Sequence, residues 1–236
     1  MGRAFEYRKA AKEKRWGKMS RIFPKLAKAI TVAARNGGSN IEVNPALRMA
    51  IQNAKSENMP KDNIEAAIKR AVAKDQKDLE EVVFEGYGPY GVAIIVECST
   101  DNNQRTVANV RSYFNKANGA LGKSGSVDYL FSRRAVFRIP KIDDVESLEL
   151  ELIDFGLEEI IAEEDEMVLI TEFESFGTMQ KALEDRKIEI NKAEVLRFPN
   201  TYTELTPEQQ TTINNLVDKI EDDDDVNAVY TTMAES

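Results

Sequence analysis

The sequence predicts a multidomain α+β protein, with an N-terminal helical bundle domain and two α/β sandwich domains, one inserted in the other. Three observations support this. Apolar residues recur at helical spacing in about the first 75 residues, β-branched runs alternate with amphipathic helices after that, and the charge divides at the same point. A chain of 236 residues is long enough for two or three small domains.

The helical domain is predicted over residues 1–78. Residues 1–18 are dense in Lys and Arg and have few apolar side chains to bury, so we expect a marginal helix or an arm. Three helices follow, and capping signals and the 3–4 spacing place them from Ser20 to Gly37, from Asn44 to before Pro60, and from near Pro60 to about residue 75.

The body continues with period-two patterns. Strands are expected at Val82–Phe84 and Val92–Cys98, a helix at Asn102–Lys116 and a strand at Ser126–Phe131. The next segments follow the order β-α-β-β-α-β, with strands at Ala135–Ile139, Glu158–Ala162, Met167–Thr171 and Ile188–Phe198 and helices at Val145–Phe155 and Phe176–Asp185. This order is that of a ferredoxin-like unit and predicts an inserted domain over 134–199.

The tail predicts one helix, Pro207–Ile220, and one strand, Val226–Thr231. Two isolated elements cannot bury themselves, so we expect the tail to return to the first α+β unit. That domain is then discontinuous, over 79–133 and 200–236. We predict a ferredoxin-like sandwich for it as well.

The net charge of −9 conceals a division along the chain. Residues 1–74 contain 17 Lys and Arg and 6 Asp and Glu, giving +11, whereas the rest contains 15 and 35, giving −20. A basic head on an acidic body is typical of a protein that binds a polyanion through the head. A solvated basic face without a ligand is the alternative.

The absence of histidine restricts the chemistry. The chain has no histidine and one cysteine, Cys98, so His relays, His-ligated zinc, thiolate clusters and internal disulfides are excluded. We expect no catalysis, no cofactor and no metal, although carboxylates with magnesium stay open as an alternative. No apolar run spans a bilayer and the N-terminus is polar, which predicts a cytoplasmic protein.

The first helix carries a one-sided basic stripe. At 100° per residue, Arg21, Lys25, Lys28 and Arg35 fall within an arc of about 80°, and this arc contains no acidic residue. The predicted nucleic-acid contacts are this stripe and Arg8, Lys9, Lys12, Lys14, Arg15 and Lys18.

Two expectations test this surface. If about six phosphates are neutralised, log affinity should fall with log salt at a slope of roughly −5. Reversing Lys25 and Lys28 to Glu should alter stability by less than about 0.5 kcal/mol.

Further residues are candidates for stacking or secondary contacts: Trp16, Tyr87, Tyr90, Arg105, Arg111 and Lys123. For Trp16, packing against the first helix is equally open. Arg105 and Arg111 lie on the Asn102–Lys116 helix, for which Asp101 is the expected cap. Cys98 is expected to be buried. The run Glu221–Asp225 is expected to be a solvated turn.

Two glycine-rich segments resemble cofactor motifs without their context. Gly86, Gly88 and Gly91 have dinucleotide-site spacing but precede a strand, which favours a tight turn between strands. Gly122-Lys123-Ser124 resembles the end of a phosphate-binding loop, but Ala117 stands where the first glycine is required. We therefore interpret it as a helix-to-strand loop whose Lys123 contacts a polyanion.

Several segments resemble the YebC family of probable transcriptional regulatory proteins: KAITVAARNGG, NPALRMAIQNAKSENMPKDNIEAAIKRA, FEGYGPYGVAIIVECSTDNNQRTVANVRSYFNKANGALGKSGSVDYLF and the acidic turn before VNAVY. The resemblance covers essentially the whole chain. It implies a cytoplasmic protein with a helical domain and two α+β domains, without cofactor or catalysis. Family members are described as DNA-binding regulators of transcription, and others, including mitochondrial translational activators, as factors acting on the translating ribosome.

The sequence therefore favours a nucleic-acid-binding regulator of gene expression, with DNA as the first target by resemblance. Its expected partners are DNA or ribosomal RNA, and with them the transcription machinery or the ribosome. Charge does not separate the two, because both present phosphates. A protein-interaction scaffold that uses the acidic lobes is the second alternative, and an enzyme using acidic residues and magnesium is the third.

Overall fold

The computed structural model describes residues 19–72 and 79–234, with side chains from Ile22 onward. The helical domain contains α1 (Met19–Gly37), α2 (Pro45–Ser56) and α3 (Lys61–Val72), which confirms the three predicted helices. Their shared core includes Ile30, Leu47, Ala54 and Ala67, none of which is exposed to solvent.

The turn between α1 and α2 is organised by Asn44. Its side-chain oxygen accepts a hydrogen bond from the Leu47 N–H at 3.0 Å and so caps α2, where Pro45 begins the helix without needing an N–H partner. Its side-chain amide donates to the Ala33 and Gly38 carbonyls at 2.8 and 2.7 Å. One buried side chain thus satisfies both helix ends.

The second domain is built on a four-stranded antiparallel sheet. Its elements are β1 (Glu80–Tyr87), β2 (Ala93–Thr100), α4 (Asn103–Lys116) and β3 (Ala120–Leu121). The tail adds α7 (Pro207–Glu221) and β8 (Val226–Thr231). The sheet order is β3-β1-β2-β8, so the tail does return to this sheet. A β1–β2 hairpin occupies its centre, and α4 and α7 cover one face through a core that includes Ile94, Val96 and Phe114.

The third domain has the predicted β-α-β-β-α-β order. Its elements are β4 (Phe131–Pro140), α5 (Val145–Leu152), β5 (Leu157–Ala162), β6 (Glu166–Glu172), α6 (Phe176–Asp185) and β7 (Lys192–Pro199). The antiparallel sheet order β5-β6-β4-β7 is that of a ferredoxin-like fold. Strand β7 begins later than predicted, because a turn with Lys187 at φ 57° follows α6.

The strand predicted over Ser126–Phe131 is wrong. The segment turns through a short 3-10 helix at Asp128–Leu130, and β4 begins only at Phe131. Val127 and Phe131 pack on the second face of the first sheet, against Ala93 and Ile95. The segment is therefore apolar because it covers a sheet, and its backbone N–H groups bond to a side chain instead of a neighbouring strand.

The three domains contact one another through the buried side chain of Met49, which belongs to the core of the third domain, and through polar groups. Asn53 of α2 exchanges two hydrogen bonds with the backbone of Ala193 on β7, at 2.7 and 3.0 Å. Arg197 of β7 donates to Glu97 of β2 at 2.8 Å and to Asp128 at 2.5 Å. Within 19–72 and 79–234, no helix is both long and apolar enough to span a membrane.

Candidate nucleic-acid interface

The predicted contact residues fall into three groups. Outside the described residues lie Arg8, Lys9, Lys12, Lys14, Arg15, Trp16 and Lys18, together with the side chain of Arg21. Lys25, Lys28 and Arg35 lie on α1, and all three are half-buried. The remaining candidates, Tyr87, Tyr90, Arg105, Arg111 and Lys123, belong to the second domain and are exposed.

Lys25 and Lys28 face the chain's own acidic turn, which we define as residues 221–225. The Lys28 ammonium donates to the Ser99 carbonyl at 2.8 Å and to the Asp224 carbonyl at 2.6 Å. The Lys25 ammonium donates to the Glu221 carbonyl at 3.3 Å. These lysines meet the C-terminal end of α7, where free carbonyls and the helix dipole attract cations.

We expected that reversing Lys25 and Lys28 to Glu would change stability little, because both side chains were assumed to face solvent. The contacts of Lys28 remove the basis of that expectation. Burial lowers the pKa of Lys28, and the attraction of Asp225 and Asp224 opposes this shift. Glutamate at this position would bring a third carboxylate beside those two. We now expect a loss of stability from the reversal.

Asp225 makes the acidic turn part of the structure, so the prediction of a solvated turn is wrong there. The residue is 7% exposed. Its Oδ2 accepts hydrogen bonds from the Thr100 hydroxyl at 3.1 Å, the Thr106 hydroxyl at 2.8 Å and the Arg105 guanidinium at 2.7 Å. Burial alone would raise the pKa of Asp225, but the hydrogen bonds from Arg105, Thr106 and Thr100 hold it below its usual range.

The same network changes the interpretation of two neighbouring residues. Arg105, a predicted secondary contact, bridges Asp225 and Asp101, the latter at 2.9 Å. Asp101 therefore does not cap α4. The cap is Asn102, whose side-chain oxygen accepts from the Arg105 N–H at 3.2 Å. Arg111 lies on α4 and is exposed.

Cys98 is 1% exposed, as predicted. Burial, with the nearby carboxylates of Asp223 and Asp225, raises the pKa of its thiol to about 12. The thiol is consequently protonated at neutral pH and is a poor nucleophile.

The opposite end of the β1–β2 hairpin carries aromatic side chains. Tyr87 pairs with Ala93 across the hairpin, whereas Thr100 pairs with Glu80 at the far end, beside Arg105. We call the region of Tyr87, Tyr90, Tyr129 and the loop 122–126 the tyrosine end. The predicted turn is confirmed there: a 3-10 helix over Pro89–Gly91 joins the strands, with Tyr90 at φ 63°.

A buried carboxylate holds the loop of the tyrosine end. Glu85, 5% exposed, accepts hydrogen bonds from the backbone N–H groups of Gly125 at 2.6 Å, Val127 at 2.8 Å and Asp128 at 2.9 Å. Gly125 has φ +81°, a conformation suited to glycine. Glu85 thus holds the backbone of the loop that carries Lys123, while the Lys123 side chain is exposed.

Sequence reasoning missed Glu85, Asp225 and Tyr129. The acid directly after the apolar run Val82–Phe84 is a signal that could have identified Glu85, because such a group needs donors when buried. Tyr129 lay hidden in the wrongly predicted strand. Among the described residues, no group of three or more potential ligands could hold a metal ion.

This arrangement defines a class of three-domain proteins. A helical domain packs on two α+β domains, and the third domain is inserted into the chain of the second. Family comparisons agree. Residues 3–74 match the family model described as the TACO1/YebC protein N-terminal domain, and residues 79–233 match that of the TACO1/YebC second and third domain. The chain belongs to the TACO1/YebC family.

Related proteins share the full length. A probable transcriptional regulatory protein of Cytophaga hutchinsonii is 59% identical, over 100% of both chains. One of Porphyromonas gingivalis is 55% identical, over 100% of this chain and 98% of the relative. The crystal structure of a conserved hypothetical protein from Aquifex aeolicus is 36% identical with a TM-score of 0.78, covering 93% of this chain and 92% of that one. These names support a regulatory role.

Proposed function

We propose that this chain is a regulator of gene expression that binds nucleic acid through its N-terminal part and has no catalytic activity. The observation that carries the proposal is the charge division, +11 over residues 1–74 against −20 over the remainder. Phosphates are attracted to the first part and repelled by the second, which fixes the orientation of the chain on a polyanion.

The contacts of α1 sharpen the proposed surface. Lys25 and Lys28 donate to the acidic turn, so we assign most of the proposed phosphate contacts to the cations of residues 8–18 and to Arg21, and we keep Arg35, in the last turn of α1, as a further candidate. Lys55 and Lys69, exposed lysines elsewhere in the helical domain, add to the positive charge of this part of the chain.

Duplex DNA is the first proposed target, because the relatives are named probable transcriptional regulatory proteins. Ribosomal RNA is the second, and the exposed tyrosines favour it, since unpaired RNA bases stack on aromatic side chains. Crosslinking in cells separates the two: recovery of promoter DNA supports the first target, and recovery of ribosomal RNA supports the second.

The binding experiment uses the full chain and a fluorescent duplex at several salt concentrations. We expect log affinity to fall with log salt at a slope of roughly −5 for about six neutralised phosphates. Reversing Lys12 and Arg15 to Glu should weaken binding strongly. The matched control reverses the exposed Lys181 and Lys187 of the third domain and should have little effect. A flat salt response, or equal losses from both pairs, would contradict the proposal.

Two results would favour the other functions. Protein partners that survive high salt and removal of residues 1–75 would indicate an interaction scaffold. Reproducible turnover by the purified chain that a chelator abolishes would indicate an enzyme.

A further inference from the structure

The tyrosine end exposes three aromatic rings on an otherwise acidic body. Tyr87 is 38% exposed, Tyr90 49% and Tyr129 69%. The neighbouring Tyr129 side chain raises the pKa of Tyr87, so the two side chains lie close together. Two neighbouring rings and a third on the adjoining turn form an apolar surface with polar tips, a combination enriched where proteins bind partners.

This surface is held in place before any partner arrives. Glu85 and Tyr87 lie on the same face of β1, two residues apart, and Glu85 binds the N–H groups of the overlying loop. Val127 is fully buried against the sheet. Tyr129 comes two residues later, after Asp128, whose N–H also donates to Glu85, so its exposed ring extends from an anchored backbone. A rigid aromatic platform loses little conformational entropy on binding.

The charge at this end differs from that of the rest of the body. Glu85 is buried beneath the loop, and the Asp128 carboxylate is paired with Arg197 at 2.5 Å. Lys123 is exposed between Gly122 and Gly125. The loop therefore presents a cation at the same end as the rings, while the carboxylates of Glu85 and Asp128 are already hydrogen-bonded.

Building on the nucleic-acid binding proposed above, we propose that the tyrosine end binds unpaired nucleotides, with Tyr87 and Tyr129 stacking on bases and Lys123 contacting a phosphate. Stacking needs the open face of a base, which a continuous duplex does not offer except at its ends. The target of this protein therefore includes a single-stranded stretch, read by the second domain while the basic helical part binds phosphates.

The test compares three fluorescent ligands with the full chain: a single-stranded oligonucleotide, an abasic strand of the same length, and a duplex. The abasic strand keeps the phosphates and removes the bases. Tyr129→Ala removes a ring, and its matched control, Tyr129→Phe, keeps the ring. Lys123→Glu is matched by Lys187→Glu, an exposed lysine in the third domain. Melting temperatures check that each variant folds.

We expect Tyr129→Ala to weaken binding of the single strand about fivefold or more, and Tyr129→Phe to leave it nearly unchanged. On the abasic strand and the duplex, both variants should match the wild type. Lys123→Glu should weaken single-strand binding more than Lys187→Glu.

Two outcomes separate the failures. If the wild type binds all three ligands with salt-dependent affinity but Tyr129→Ala has no effect, or an equal effect on the abasic strand, the stacking inference is overturned and the proposed function stands. If the wild type binds none of the ligands, the proposed function fails, and this inference fails with it. A protein partner whose binding needs Tyr129, when oligonucleotide binding does not, would also overturn the inference.

Discussion

The two ends of the β1–β2 hairpin use lysines in opposite ways. At one end, Lys28 of α1 is half-buried and donates to carbonyls of Ser99 and Asp224. At the other, Lys123 is exposed on a loop that is anchored by Glu85. The same residue type therefore joins domains in one place and is open to solvent in the other, and the neighbouring backbone makes the difference.

The buried carboxylates of the two ends show the same contrast. Asp225 accepts from side chains of β2 and α4 and lies 3.8 Å from the Lys28 ammonium, so it links the helical domain to the second domain. Glu85 accepts only backbone N–H groups of one loop among its described hydrogen bonds. Loss of Asp225 should thus affect the global fold, and loss of Glu85 a local surface.

The largest expected effect is that of Asp225→Ala. Thr100 and Thr106 would lose a buried acceptor and the half-exposed Arg105 its ion-pair partner, and because a hydrogen bond to a charged group contributes about 1.5 kcal/mol or more, we expect a total loss of about 3–5 kcal/mol. Urea unfolding of the full chain measures the change. Asp224→Ala is the matched control, because alanine keeps the backbone carbonyl to which Lys28 donates and removes an exposed carboxylate, and it should cost less than about 0.5 kcal/mol. Similar losses in both variants would refute the assignment of Asp225 as the linking residue.

The second effect is that of Glu85→Ala, which leaves the N–H groups of Gly125, Val127 and Asp128 without their acceptor. We expect a loss of about 2–3 kcal/mol, less than for Asp225 because water can reach the loop. Hydrogen exchange should show the loop losing protection while α1 and α3 keep theirs. The exposed Glu80 on the same strand provides the control. Uniform loss of protection across the chain would mean that Glu85 has a global role.

The third effect is that of Lys28→Met, which keeps the length of the side chain and removes its two hydrogen bonds. The loss should be about 1–2 kcal/mol, since the acceptors are partly reached by solvent. Lys69→Met on the exposed side of α3 should change the free energy of unfolding by less than about 0.5 kcal/mol. Equal values for the two lysines would show that the contact with the acidic turn contributes nothing to stability.

The smallest expected effect is the pH response of Asp225, because burial and hydrogen bonding act on its pKa in opposite directions. Its folded pKa lies below the ordinary value of 3.8. The carboxylate therefore stabilises the fold above about pH 4, and this contribution is lost as the pH falls through the folded pKa. Unfolding measured from pH 6 downward should show a shallower acid loss for Asp225→Asn than for the wild type. Identical slopes would contradict the lowered pKa.

The positions of the helices and the order of the elements could be predicted from the sequence alone. Pro45 after Asn44, the glycines after α1 and the 3–4 apolar spacing fixed the helices, because caps and periodicity act over a few residues. The β-α-β-β-α-β order was equally visible. The charge division between residues 1–74 and the rest of the chain follows from composition alone, so it could be counted without a structure.

Tertiary structure decided which polar groups are available to a ligand. The stripe of Lys25 and Lys28 looked solvent-facing because spacing gives only the direction of a side chain, not what lies opposite. The Ser126–Phe131 segment looked like a strand because it contains apolar residues. A segment that packs on the face of a sheet needs such residues just as a strand within the sheet does. The partners of Asp225 and Glu85 lie 40 or more residues away along the chain. Only the folded chain brings such groups together, since no local pattern specifies a contact at that separation.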